Sequence, residues 1–336
     1  MQVDEIMERA RKKLSPICKV CALCNGYECS GEVPGIGGID SGKSFINNFY
    51  ALEKYQLNLR TMHQAVSPQT EQVLFGKRVL TPILPAPISE MEKNFDGIVS
   101  ENYYTESIAK GSSLAGTIPT FGDGEGKQVY EAGLNAMKDE IGYGICFIKP
   151  RSVEEIIVRI RQAEEAGALA IGIDVDAALF SMGEKGIPVG PKSFYQMRRL
   201  VQSTSLPFII KGVMTRQEGE MAAEMGAAAI VVSNHGGRVL DHTPGTAEVL
   251  PEIAEKVKGE IIVMVDGGIR TGLDVLKMLA LGADYALVGR PILRSVFGGG
   301  SEGVKIYIEK LSTELKQTMI LTGCAHVKAI DERVIF

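Results

Sequence analysis

The chain has 336 residues, 45% of them hydrophobic and 23% charged, which is enough apolar material to bury one large α/β core. Its formal net charge of -5 comes with no basic stripe, so nucleic acid is not an expected partner and any anionic ligand must be held by local donors. No apolar run approaches the roughly 18 to 20 residues of a membrane helix, and the charged start MQVDEIMERARKK does not read as a secretory signal, so the expected location is cytoplasmic with no membrane partner.

In chain order, residues 1–78 precede the repeating pattern and read as an N-terminal extension packed on the main domain, which takes up 79–336. The extension opens with a helix candidate of mixed charge. Cys18, Cys21, Cys24 and Cys29 follow within one short segment, whereas Cys146 and Cys324 stand alone. Soft thiolates at such spacing suit an iron-sulfur cluster or zinc, the alternative being a set of free, redox-labile thiols. In the stretch PGIGGIDSGKSF, the GIDSGKS portion lacks the spacing of a phosphate loop, because Gly37 and Gly38 sit too near Gly42.

From about residue 80, short runs rich in Val, Ile and Ala alternate with amphipathic stretches, the sign of repeated β-α units and a parallel sheet. Eight strands are expected: VLTPILPAP near 79–87, SLAGTIPT near 113–120, YGICFI near 143–148, ALAIGIDV near 168–175, PFIIKGV near 207–213, AAIVVSN near 228–234, IIVMVDG near 261–267 and YALVG near 285–289. Helices between them announce their starts by Ser152 with Glu155, Thr215 with Glu218, and Thr271 with Asp274. Eight units over roughly 250 residues match a closed TIM (β/α)8 barrel. A doubly wound open sheet shows the same alternation.

The strand ends carry the chemistry. Asp266-Gly267-Gly268-Ile269-Arg270 and Gly289-Arg290-Pro291 follow the last two strands, where barrels bind phosphate through backbone amides, a helix N-terminus and a forked arginine. The sixth strand ends in Ser233-Asn234-His235-Gly236-Gly237-Arg238, which sets a base beside an anion clamp. Lys211 and Asp176 close the fifth and fourth strands and point toward the barrel mouth; a plain Lys-Asp ion pair is the bland alternative.

These residues, within PFIIKGV, SNHGGRVLDHTPGTAEVLPEI, VDGGIRTGLDVLKMLALGADYALVGRP and ELKQTMILTGC, with the weaker LTPILPAPIS and LAGTIPT, resemble the flavin mononucleotide (FMN)-dependent 2-hydroxy-acid dehydrogenases and oxidases, which include glycolate oxidase and lactate oxidase. The resemblance implies a TIM barrel that oxidises a 2-hydroxy acid to a 2-oxo acid, with an electron acceptor it does not specify. It implies His235 as base, Asp176 as its partner, Arg238 as donor to the substrate carboxylate, and Lys211 as the cation at the flavin's pyrimidine edge. Pro87, Ile88 and Ser89 would lie along the ring, Asp174 and Ser233 near its polar edge or ribityl chain, and Asp266, Gly268, Arg270, Gly289 and Arg290 around ribityl and phosphate. It also implies a homo-oligomer, commonly a tetramer.

Three family features lack counterparts: a tyrosine near the barrel entrance, a second on the third strand, which reads Gly144-Ile145-Cys146-Phe147-Ile148-Lys149, and an arginine shortly after Asp176, where the sequence reads Ala177 to Gly183. The connection from there to Ser193 is also short. Lost phenols and a lost cation imply a different substrate or weaker catalysis. Two other functions stay open: an FMN barrel with other chemistry, such as isomerisation of isoprenoid diphosphates, against which the SNHGGR turn argues, and a flavin and metal electron carrier.

Overall fold

The computed structural model describes residues 1–178 and 189–336. Eight parallel strands run β1 Ile83–Pro85, β2 Thr120–Phe121, β3 Gly144–Ile148, β4 Ala168–Asp174, β5 Phe208–Val213, β6 Ala229–Val232, β7 Ile262–Val265 and β8 Tyr285–Val288, in the spatial order β1-β8-β7-β6-β5-β4-β3-β2. Helices alternate with them. The fold is a TIM barrel, as the alternation implies, and every expected strand is present. Two boundaries move: Val79 pairs in a separate hairpin strand, so the first barrel strand begins at Ile83, and Ser113 and Leu114 end the helix Glu101–Leu114, which left-handed Gly116 then breaks, so the second strand is confined to Thr120 and Phe121.

The caps hold as read. The hydroxyls of Ser152, Thr215 and Thr271 accept the amides of Glu155, Glu218 and Asp274, satisfying donors that a helix start leaves open.

Side chains alternate along each strand between the barrel interior and the helices. Inward-facing Leu84, Ile145, Phe147, Ile209, Val231, Met264 and Leu287 form a dry plug, while Ile148, Ile171, Ile210 and Val265 face the surrounding helices. Phe147 fits because Gly172 faces it: a Cβ there would lie 2.3 Å from the ring. A hairpin of Gln72–Leu74 and Lys77–Val79 caps the far end, burying Leu74 and Val79 in the plug and accepting the Tyr285 hydroxyl at Val73 O, 3.0 Å away.

Among the described residues, no strand ladder joins β1 to β2. Two buried threonines bridge that seam instead. Thr117 Oγ1 donates to Ile83 O at 2.7 Å and Thr120 Oγ1 to Pro85 O at 2.8 Å. Replacing either by valine keeps the shape but strands a buried carbonyl, so Thr117→Val and Thr120→Val should each cost about 1 to 3 kcal/mol in urea unfolding. Unchanged midpoints in both would show that the seam is held elsewhere.

Candidate active site

At the carboxyl ends of the strands the plug gives way to polar groups on the same inward positions. Lys149 follows β3, Asp174 ends β4, Lys211 lies in β5, and Ser233, Asp266 and Gly289 follow β6, β7 and β8. Asp174 Oδ1 lies 3.1 Å from Lys211 Nζ, and its Oδ2 lies 3.2 Å from Lys149 Nζ. Burial alone would raise the Asp174 pKa, but the two lysines outweigh it and hold the carboxyl well below its usual range. Burial likewise opposes the charge of Lys211, and Asp174, Asp176 and Asp266 reverse that, so its ammonium is held charged. Asp266 is the odd member: burial lifts it to about 6, Ser233 Oγ donates to its Oδ2 at 2.9 Å, and its Oδ1 is buried without a partner.

His235 sits above this layer with φ 57, a left-handed conformation rare outside glycine, fixed by its amide donating to Ser233 Oγ at 3.0 Å. Its Nδ1 donates to Asp176 Oδ1 at 2.9 Å. Burial lowers the His235 pKa below its ordinary 6.5; Asp176 works against that, and Lys211 and Lys149 add to it. The imidazole is therefore neutral at neutral pH and able to accept a proton.

Three arginines complete the mouth, and the N-terminal extension is threaded over them. Arg238 donates to Gly35 O and, at 3.0 Å, to Asn94 Oδ1, which also accepts the Gly35 amide. Arg270 reaches Cys24 O through Nε and Nη2, at 3.1 and 2.9 Å. Arg290 donates to Ile36 O, Gly37 O and Gly236 O, with its guanidinium 3.7 Å from the Phe45 ring centroid. Among the described residues, neither Arg270 nor Arg290 is paired with a carboxylate. Burial, with Arg238 and Arg270 nearby, pulls Arg290 down to about 9, the mark of a cation cluster that an anion would relieve.

Helix Lys43–Glu53 makes this threading possible. Gly237, at φ 78, lets it approach: a Cβ there would lie 2.2 Å from Phe45 N. Asn48 Nδ2 donates to Asn234 Oδ1 at 2.6 Å, and Asn48 Oδ1 accepts the Thr246 amide. The SGKS turn that begins this helix meets the Asp241 carboxylate, which accepts the Ser41 and Ser44 amides at 2.8 and 3.1 Å. An aspartate occupies the place a phosphate loop would give to its ligand.

The cavity measures about 910 Å3 and is lined by Pro87, Ile88 and Ser89 on one side, by Lys149, Lys211, Ser233 and Asp266 along its floor, and by Gly268, Arg270, Gly289 and Arg290 at one end. Asp176, His235 and Arg238 face the same space. An orphaned carboxylate oxygen on Asp266, a lysine-lined floor and unpaired arginines beside the N-terminus of helix Arg290–Thr322 fit a polar, phosphate-bearing ring cofactor. The family model described as FMN-dependent dehydrogenase matches residues 36–192 and 189–336.

The chain belongs to this family. It is similar to human 2-hydroxyacid oxidase 1, with 30% identity over 89% of this chain and 90% of the relative. It is also similar to L-lactate oxidase of Lacticaseibacillus rhamnosus, with 30% identity over 89% and 88%. A crystal structure of mandelate oxidase with benzoyl-formic acid superposes with a TM-score of 0.78 at 27% identity, covering 100% of this chain and 97% of that one. FMN is the cofactor that the family model names, and the cavity residues fit it.

Of the residues singled out from sequence, those expected at the base and the cofactor all line or adjoin this cavity. The four N-terminal cysteines are brought into one segment beside this cavity, where Cys18 and Cys24 both act on Cys29 electrostatically. Among the described residues, the one group of three or more candidate metal ligands whose atoms lie within 4.8 Å of one another is Asp174, Asp176 and His235, and lysines already neutralise Asp174. Cys18 and Cys24 are buried, Cys21 and Cys29 partly exposed. Burial drives the Cys29 thiol up to about 11, whereas the arginines Arg270, Arg294 and Arg290 outweigh burial and lower Cys24. The extension is ordered over the mouth by arginine-carbonyl bonds. The short connection after Asp176 falls on residues 179–188 and lies outside the described residues.

Lys149, Phe45, Asn48 and Asn94 are the site residues that sequence reasoning passed over. Phe45 is buried, and leucine there keeps much of its volume while losing its π face. Phe45→Leu should weaken FMN binding several-fold in fluorescence titration while the melting temperature stays within a few degrees. Equal affinity would show that the ring does not hold Arg290.

Proposed function

We propose that this chain oxidises a 2-hydroxy acid to the 2-oxo acid with FMN bound in the barrel mouth. The observation that carries the reading is the His235-Asp176 pair at 2.9 Å, opening on the same cavity as Lys211 and Arg238. FMN supplies the sink for the two electrons of the substrate's α C–H bond. Ring contacts fall to Pro87, Ile88 and Ser89, the polar edge and ribityl chain to Asp174, Ser233 and Asp266, and the phosphate end to Gly268, Arg270, Gly289 and Arg290.

His235 takes the substrate's proton at Nε2, the nitrogen opposite the aspartate contact. Asp176 then stabilises the imidazolium; its second oxygen is buried without a hydrogen-bond partner. Lys211 holds a positive charge where negative charge develops, which is electrostatic catalysis without reorganisation. Arg238, brought down to about 10 by burial, gains from meeting the substrate carboxylate. Its fork is already steadied by Asn94, a neutral support that does not compete for the charge. The same support stands in a mouth without the family's tyrosines, so carboxylate recognition rests more heavily on this one arginine. Substrates and a tetrameric assembly follow the family in this reading. Among the described residues, no helix is long and apolar enough to cross a membrane.

Anaerobic mixing with glycolate, lactate and mandelate tests the reading. At least one should bleach the flavin of wild-type protein, and His235→Ala should stay yellow yet bleach at least about 100-fold more slowly, the scale of general-base loss. Bleaching at the wild-type rate would place the base elsewhere. Arg238→Lys, which replaces a planar fork by a point charge, should raise KM more than it lowers kcat. Because the His235 pKa lies below 6.5, the rate should be flat above neutrality and fall only as acid protonates the base. A rate that rises as pH drops through 6.5 would contradict a neutral histidine base.

A further inference from the structure

The cysteine segment is anchored at both ends. Helix Val3–Leu14 lies directly on helix Arg290–Thr322, where a Cβ on Gly298 would stand 2.0 Å from Ile6 O, and the Cys18 amide continues the first helix by donating to Leu14 O at 2.8 Å. At the far end the Cys29 carbonyl accepts the Gly38 amide at 3.2 Å, beside the Gly37 carbonyl that Arg290 grips. The loop between these anchors is thus held against the first turns of the long helix.

What it meets there is a buried cation. Arg294, one turn after Arg290, is 6% exposed, and among the described residues it forms no ion pair with a carboxylate. Its guanidinium meets the thiols of Cys18 and Cys24, and its Nε is buried with no hydrogen-bond partner. Arg270 meets the Cys24 thiol as well. The Cys18 sulfur also accepts the Val20 amide at 3.3 Å, the role that an electron-rich sulfur takes. A buried guanidinium that faces neutral thiols is left uncompensated, whereas metal-bound sulfur is thiolate and pairs with it.

Spacing decides which metal suits. Cys18, Cys21 and Cys24 repeat the C-x2-C-x2-C run of bacterial iron-sulfur proteins, and Cys29 supplies a fourth sulfur that feels the charge of both Cys18 and Cys24. A single tetrahedral ion, roughly 2.3 Å from each ligand, needs its sulfurs about 3.8 Å apart. Among the described residues, no three of these thiols lie within 4.8 Å of one another. Thiolates on separate irons stand wider than that, and a cluster held by four of them is an anion, which suits a wall of arginines.

We propose that Cys18, Cys21, Cys24 and Cys29 bind a four-iron iron-sulfur cluster against Arg294, behind the arginine end of the cavity. The site goes beyond the oxidation reaction and does not depend on what the cavity holds.

Full-length protein, purified without oxygen and reconstituted with ferrous iron and sulfide, tests this without any need for turnover or FMN. After desalting it should retain about four irons and four acid-labile sulfides per chain. Dithionite should then give a fast-relaxing paramagnetic signal distinct from a flavin radical. Cys21, which is partly exposed, should react with iodoacetamide at least tenfold more slowly than after a chelator has removed the iron. Cys21→Ala should lose at least half of the iron, and Cys324→Ala should keep it. Zinc retained in place of iron, a disulfide within the four, or iron no higher than in a variant with all four cysteines replaced by alanine overturns the proposal. Metal content and alkylation are read on wild-type protein, so a variant that fails to fold does not spoil the test.

Discussion

Burying Asp174 between Lys149 and Lys211 is the constraint on which the site depends. Below that level the barrel is filled by aliphatic and aromatic side chains, and a charge there would be left without partners. Above it lie the histidine and the arginines. Lys211 is held charged by the aspartates around it, and burial lowers His235 with both lysines adding to that, so the same layer bears on the electrostatics of the floor and on the protonation of the base. Asp266 adds a carboxyl at the edge of ionisation, near 6, whose unpartnered oxygen is available to a hydroxyl donor. A site of this kind is expensive to bury and is stable because its charges are mutual.

The roof is built on a different principle. Arg270 and Arg290 are satisfied by main-chain carbonyls of Cys24, Ile36 and Gly37, and not by carboxylates, so their hydrogen bonds are met while their charge is not. That combination orders the Gly-rich extension and still leaves the cluster attractive to a phosphate. Phe45 and Asn48, on the helix below, tie the extension to the two glycine turns that the cofactor needs. The cysteine segment belongs to this roof through Cys24, whose carbonyl accepts from Arg270 and whose thiol meets the same guanidinium.

What could be read from sequence follows from how local each signal is. Continuous apolar runs read here as buried strands, so the barrel was legible; the boundary displaced at Ser113 came from a helix running into the expected strand, and the one displaced at Val79 from a hairpin that takes that residue. His235, Asp176 and Lys211 were legible because charge at a strand's carboxyl end has one place to go. Lys149 occupies an equivalent position, yet it drew notice only as part of a strand that lacks a tyrosine; the signal was present and the comparison with the family hid it. Phe45, Asn48 and Asn94 act across the whole length of the chain, through partners that no local pattern announces. The cysteine spacing left metal and free thiols as alternatives, because spacing alone does not report which way thiols turn.

The central claim is that cleavage of the substrate's α C–H bond, assisted by His235, is what delivers electrons to the flavin. Anaerobic stopped-flow reduction with a 2-hydroxy acid deuterated at C2 measures that step alone. The account predicts that flavin bleaching slows several-fold on deuteration and yields one 2-oxo acid per flavin reduced. Bleaching indifferent to the label with no 2-oxo acid formed, or no bleaching by any 2-hydroxy acid, would contradict it.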